Sequence, residues 1–303
     1  MRTSIEEGGK EIYKAIQKAL AEDDGCLIGR TGSIELEHIL YYTCNKKIFS
    51  EKLHFLEKNA GIFPAEQFVV EKWLKESIQA IKDSDVLVTN WHEALIEDEE
   101  IALGIWKCRA TQIPLRSLEP YYVSPENQWT RILSGHRVSV VGSFQKSSSE
   151  QSKNLQKIWG DLQVLPSVDW RWVQTGHPSS IAMGTNEWPE HVETSLDAID
   201  YIVSEVVKQE SRFALIGCGG IGMIVASRLK KRGIIAIVMG GAIQVLFGIK
   251  GKRWENHEIS RFWNEHWICP CEEEIPGLAD TIENGCYWYN EVQRSTMKIE
   301  VIV

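Results

Sequence analysis

The chain contains no run of about 20 apolar residues of the kind a membrane-spanning helix needs. Its nearest approach, Gly233 to Ile249, is 17 uncharged residues broken by Gly240, Gly241, Gln244 and Gly248, and reads as a buried strand followed by a turn. Positive charge is not in excess. The 33 Lys and Arg against 42 Asp and Glu give a formal net charge of −9, which supplies no bulk attraction to nucleic acid or an anionic membrane but leaves room for a local basic pocket. Paired cysteines at zinc-finger spacing are also missing: seven cysteines (26, 44, 108, 218, 269, 271 and 286) are scattered, and only Cys269 and Cys271 lie close together. With a start, "MRTSIEEGGKEIYKAI", that has no apolar signal core, this odd set predicts a reducing, cytoplasmic compartment. There is no G-x-x-x-x-G-K-[S/T] for a P-loop triphosphatase, no H-E-x-x-H for a zinc protease around His257, Glu265 and His266, and no G-x-S-x-G around Ser143.

What is present is enough chain, 303 residues with 43% hydrophobic content, for a sizeable core. Strand-like and helix-like segments alternate. A helix is expected over Glu11 to Ala21, followed by a turn, a short strand and a glycine-bearing loop in "DDGCLIGRTGS", then a helix from "IELEHILYYT" with Ser33 as its N-cap. "SDVLVTNW", "HRVSVVGSFQKS" and "LPSVDWRWVQTG" read as strands, Glu126 to Leu133 and "QSKNLQKIWGD" as helices, and "WPEHVETSLDAIDYIVSEVVKQES" has the longest helical periodicity. This order predicts an α/β, Rossmann-like, mostly parallel sheet with helices on both faces and ligands at the carboxyl ends of the strands. Residues 1–303 are expected to form a single α/β domain, with two lobes, about 1–134 and 135–303, around a central cleft as the alternative division.

The stretch "ALIGCGGIGMIVASRLKKRGIIAIVMGG" holds Gly217, Gly219 and Gly222 in G-x-G-x-x-G spacing, in strand, turn and helix context. A dinucleotide site also wants an acid at the end of the next strand to hold a ribose, and "IIAIVMGG" ends in Met239, Gly240 and Gly241. Two other readings therefore stay open: a nucleotide or phosphate contact without a redox cofactor, and a purely structural turn. Arg30 and Glu35 flank the first sharp loop, while Lys250, Lys252 and Arg253 lie in "GIKGKRW". Such a carboxylate could hold a divalent ion and such cations a diphosphate; equally, Glu35 could cap a helix and the basic run could be a solvated turn. His92, His136 and His177 fall near strand ends as candidate general bases without a partner at fixed spacing.

The segment "LIGRTGSIELEHI" resembles the "RFGDGE"-type segment of the bacterial GT-D glycosyltransferases, a Rossmann-like family that transfers sugars from nucleotide donors. "RVSVVGSFQ" and "ALIGCGGIGMIVASRLKKRGIIAIVMGGAIQVLFGIKGKRW" resemble that family's later strands and turns, and still more those of uncharacterised bacterial proteins associated with polysaccharide synthesis, which end in a similar "NEHW...P...GCYW" pattern. The resemblance spans most of residues 24–288. It implies a glycosyltransferase taking a nucleotide-sugar donor and a glycan or glycoconjugate acceptor, with Mn2+ or Mg2+ as the ion, no nucleic-acid partner, and peripheral association with a membrane-linked glycan pathway. The family's arginine falls on Arg30 and its glutamate, a metal and donor ligand, on Glu35. The first acid of its D-x-E falls on Ser33, so Glu35 would need a second carboxylate such as Glu37 or Glu93, or the diphosphate would be held by backbone and basic groups. The family's late glycine and histidine segment falls near Gly240 and Gly241, without the histidine. The donor set implied is Arg30 and Glu35 with Gly217, Gly219, Gly222, Gly240, Gly241, Lys250, Lys252 and Arg253. Two rivals remain at this stage: an NAD(P)-dependent oxidoreductase and a non-enzymatic assembly protein of a glycan pathway.

Overall fold

The computed structural model describes residues 3–182 and 187–288. Residues 289–303 lie outside that range. Seven strands form one sheet: β1 (Cys26–Gly29), β2 (Val86–Val88), β3 (Thr111–Ile113), β4 (Arg137–Gly142), β5 (Asp169–Gln174), β6 (Phe213–Gly217) and β7 (Ile235–Val238). Their order is β3-β2-β1-β7-β6-β4-β5, and every pairing is parallel. The strands at the centre are short apolar runs because they are covered on both faces: all four residues of β1 and of β7 are buried.

Parallel neighbours need crossovers, and right-handed crossovers place a helix on one face or the other according to the direction in which the chain moves across the sheet. The connections that move toward β3 carry the helices Ser33–Asn45, Gln67–Lys82, Ile96–Trp106, Ser195–Lys208 and Gly222–Lys230, which pack over one face around Trp73, Ile199 and Leu229. The first helix, the Leu155–Trp159 helix and the Ala242–Leu246 helix cover the other face around Trp129, Trp159 and Phe247. Among the described residues no helix is long and apolar enough to cross a membrane.

Two local expectations are corrected, and one strand is added. The first helix begins at Ile5, not Glu11, because Ser4 and Glu7 form a capping box, the Glu7 N–H donating to Ser4 Oγ at 3.2 Å and the Ser4 N–H to Glu7 Oε2 at 2.9 Å. Gly8 hides that extension in the sequence, yet it is needed: a Cβ there would lie 2.6 Å from Ser117 Cβ. Residues Glu126 to Leu133 form two 3-10 turns, Pro125–Asn127 and Trp129–Leu133, split by Gln128 in extended conformation. The edge strand β3 was not expected, being three residues long with two of them exposed.

Candidate functional site

All seven strands point their carboxyl ends into one cleft of about 730 Å³, within the range of small-ligand sites. Arg30 follows β1, Trp91 follows β2, and Arg116, Glu119 and Tyr122 follow β3. Ser143 and Phe144 come after β4, Thr175 to Pro178 after β5, Gly217 to Gly219 after β6, and Gly240 to Gln244 after β7. The C-terminal segment closes one wall with Arg253, Trp254, His257, Glu283, Tyr287 and Trp288.

Arg30 is half-buried, lies with its guanidinium carbon 4.5 Å from the centroid of the Trp91 ring, and donates through Nε to the Thr31 carbonyl at 3.4 Å. Burial pulls its pKa down, Glu35 and Glu119 oppose that pull, and Arg253 adds to it. An arginine stays charged under such pressure, so this is a desolvated cation facing a second cation. The turn after β7 lies between them. A Cβ on Gly240 would sit 3.5 Å from Arg30 Nη1, and one on Gly241 would sit 3.4 Å from Arg253 Nη1. Arg253 is held from behind by Glu283 at 3.4 Å and by the Tyr287 ring, 4.8 Å from its guanidinium carbon.

Glu35 also lines the cleft, but not through the cap expected at Ser33. The helix N-cap is Gly32 and Ser33 is already helical. Glu35 folds back into the space a cap side chain would use: a Cβ on Gly32 would be 2.6 Å from the Glu35 carboxyl carbon. Burial raises its pKa, opposed by its own backbone N–H and by Arg30.

The residues around Glu35 do not fit a protein-held divalent ion. Glu37 is paired to Lys52 at 2.5 Å, Glu93 is exposed and does not line the cleft, and Glu283 is turned to Arg253. Among the described residues no three His, Cys, Asp or Glu side chains converge. Arg30 and Arg253 also bring positive charge to the floor where such an ion would sit.

The glycine triad is absorbed by packing. A Cβ on Gly217 would meet Ile243 Cγ2 at 2.4 Å and the Gly240 carbonyl at 2.8 Å; one on Gly222 would meet Val238 Cγ1 at 3.1 Å. Gly219, the position at which a dinucleotide's pyrophosphate would approach, has φ +59° and faces the Ala60 carbonyl oxygen, 2.7 Å from where its Cβ would be. A carbonyl oxygen in that place repels phosphate. Gly217 and Gly219 therefore border the cleft as packing glycines, and Gly222 lies behind it.

Lys250 and Lys252 do not line the cleft; Lys250 lies toward the Trp263 ring at 5.7 Å. Of the histidines, His136 is at the amino end of β4 against Phe213, at the opposite end of the sheet from the cleft, and His92 packs beside Trp91. His177 lines the cleft, where burial pushes its pKa down to about 4. Cys218 lines it too, its thiol pushed up to about 12 by burial and so kept protonated.

Nothing in the sequence pattern singles out Glu119, Trp91, Arg116 or Tyr287. Glu119 lies in "LRSLEPYYV", a stretch without periodicity, and only its position after β3 could have drawn attention to it.

No family model and no curated protein matches the chain. Solved structures resemble it distantly, among them two of one domain type. One is a selenomethionine-substituted domain of unknown function 1792, 14% identical with a TM-score of 0.41, covering 79% of this chain and 83% of that one. The other is a domain of unknown function 1792 reported to have a distinct glycosyltransferase fold, 14% identical with a TM-score of 0.39, covering 75% of this chain and 82% of that one.

Proposed function

We propose that the chain is a GT-D-like glycosyltransferase that moves a sugar from a nucleotide-sugar donor to a glycan or glycoconjugate hydroxyl. The observation that carries this reading is the pair Arg30 and Arg253 on either side of the Gly240–Gly241 turn. Two partly desolvated guanidinium groups flank a turn without side chains, which lets a diphosphate accept from both and come close to the backbone.

As the glycosidic C–O bond breaks, negative charge builds on the departing diphosphate, and the two guanidinium groups stabilise it there. Glu35, at the cleft floor beside Arg30, accepts a donor sugar hydroxyl and orients the sugar. No step is assigned to a metal ion, since Glu37 is paired with Lys52, Glu283 is paired with Arg253 and Glu93 lies outside the cleft.

An NAD(P)-dependent oxidoreductase has less support, because the glycine triad is filled by protein. A non-enzymatic assembly role expects an occluded or cation-poor cleft, and the arginine pair in an open cavity favours catalysis over it. The test is calorimetry with UDP, GDP and their sugar conjugates, with manganese and with EDTA. Binding of a nucleoside diphosphate that weakens in both Arg30→Gln and Arg253→Gln is expected. Failure of every nucleotide to bind sinks the reading.

A further inference from the structure

We infer that Glu119 is the general base that takes the proton from the attacking acceptor hydroxyl, an assignment that rests on the reading of the cleft as a sugar-transfer site. Three carboxylates line the cleft, and two of them are committed. Glu35 is folded onto Gly32 and its own backbone N–H. Glu283 pairs with Arg253 at 3.4 Å and accepts from Cys286 Sγ at 3.2 Å. The two histidines of the lining are no better placed. His177 Nε2 is sealed from solvent, and His257 Nδ1 accepts from the Ile259 N–H at 3.3 Å.

Glu119 is different. It is half-buried at the C-terminus of the short Leu115–Leu118 helix and opens on the cleft. Arg30 approaches from the loop after β1, Arg116 from the preceding helix, Glu258 from the C-terminal segment, and the Tyr121 and Tyr122 hydroxyls from the following turn. Arg116 is drawn away by its ion pair with Glu258 and lies over the Tyr122 ring at 4.7 Å. No cation approaches within 4.0 Å of the Glu119 carboxylate among the described residues, so it is not locked in an ion pair. Burial pushes its pKa up to about 7, against the pull of Arg30 and Arg116, so that it both accepts and releases a proton near neutral pH.

The step balances. The acceptor oxygen forms a bond to the anomeric carbon as that carbon's bond to the diphosphate oxygen breaks. The electron pair leaves with the nucleoside diphosphate, toward Arg30 and Arg253. The acceptor's proton passes to a Glu119 oxygen and then to solvent. A base distinct from the leaving group belongs to direct displacement from the opposite face, so the anomeric configuration inverts.

The full chain is assayed for nucleotide release from a panel of UDP- and GDP-sugars between pH 5 and 9, beside calorimetry with UDP and GDP, as wild type and as Glu119→Gln. The variant should bind the nucleotide within about threefold of wild type and release it roughly 100-fold to 10,000-fold more slowly. The wild-type rate should rise with pH through about 7, and the residual rate of the variant should be flat across that interval. Nucleotide binding with turnover of Glu119→Gln near wild type, or product of retained configuration, overturns the base while leaving the proposed function standing. Loss of all nucleotide binding in the wild type removes both. Should the variant not fold, a wild-type profile without an ionisation near 7 is enough to reject the assignment.

Discussion

The guanidinium of Arg30 lies over the ring of Trp91 with 4.5 Å between carbon and centroid, joining the loop after β1 to the loop after β2. The ring supports the cation from one side and leaves its N–H fork toward the Gly240 turn. Arg30→Gln removes charge-assisted contacts worth about 1.5 to 3 kcal/mol, so nucleoside diphosphate affinity should fall roughly 10-fold to 150-fold. Trp91→Ala removes only the support, about 0.5 to 2 kcal/mol, and should cost roughly 2-fold to 30-fold. Calorimetry on both variants checks the ranking; a larger loss in Trp91→Ala would make the ring itself the ligand contact.

Glu35→Gln keeps the side chain's volume and its fold onto Gly32 but removes the charge. Loss of a charged hydrogen bond to a sugar hydroxyl lowers turnover about 10-fold to 150-fold. Because the donor set around Glu35 does not fit a divalent ion, the loss should be the same in manganese and in EDTA. A defect present only with manganese would restore the metal role.

Which parts of this site could be read from the sequence follows from how each part is built. The buried strands were legible because strands covered on both faces must be apolar, as in "CLIG" and "IAIV". The placement of Arg30, Glu35, Gly240 and Gly241 at the cleft was legible from the family resemblance and from their positions after strand ends. The glycine triad misled for a physical reason: a carbonyl at Ala60 and a methyl of Ile243, both distant in sequence, occupy the space that the motif leaves open. Glu119 reaches the cleft from the turn after an edge strand too short and too exposed to announce itself.

Gly217 and Gly241 should separate packing from binding. Gly241 has φ −62°, which alanine adopts freely, and its added methyl would press on Tyr287 Cε1 at 3.1 Å and Arg253 Nη1 at 3.4 Å. Gly241→Ala should therefore fold with nearly wild-type stability and bind nucleotide poorly. Gly217→Ala drives a methyl against Ile243 and the Gly240 carbonyl, and should lose about 1 to 3 kcal/mol of stability. Urea unfolding and calorimetry on both proteins distinguish these outcomes.

The C-terminal wall of the cleft is held by Glu274, which is 3% exposed. It accepts from the Lys146 N–H at 2.7 Å, the Ser147 N–H at 3.1 Å, the Ser147 hydroxyl and Cys271 Sγ at 3.1 Å, while Trp288 Nε1 donates to its carbonyl at 2.9 Å. Glu274→Ala strands the Lys146, Ser147 and Cys271 donors in the interior and should cost about 3 to 5 kcal/mol in urea unfolding. A loss under about 1 kcal/mol would mean that the segment is held by its tryptophans alone.

Glu119 makes stability depend on pH in a direction opposite to that of an ion-paired carboxylate. Its folded pKa is about 7 against an ordinary 4.5, burial being the cause. Below pH 4.5 the group is protonated in both states and costs nothing. Between the two values the folded chain binds more protons than the unfolded one, so stability falls as pH rises, and above about 7 the full loss of about 3 kcal/mol is reached. Glu119→Gln abolishes that slope because it cannot ionise. Measured by urea unfolding, the variant should gain on the wild type as pH rises from 5 to 8 and should be the more stable protein at pH 8. A difference between the two that stays constant over this range would show that the carboxylate ionises at its ordinary value, and would also remove its fitness as a base at neutral pH.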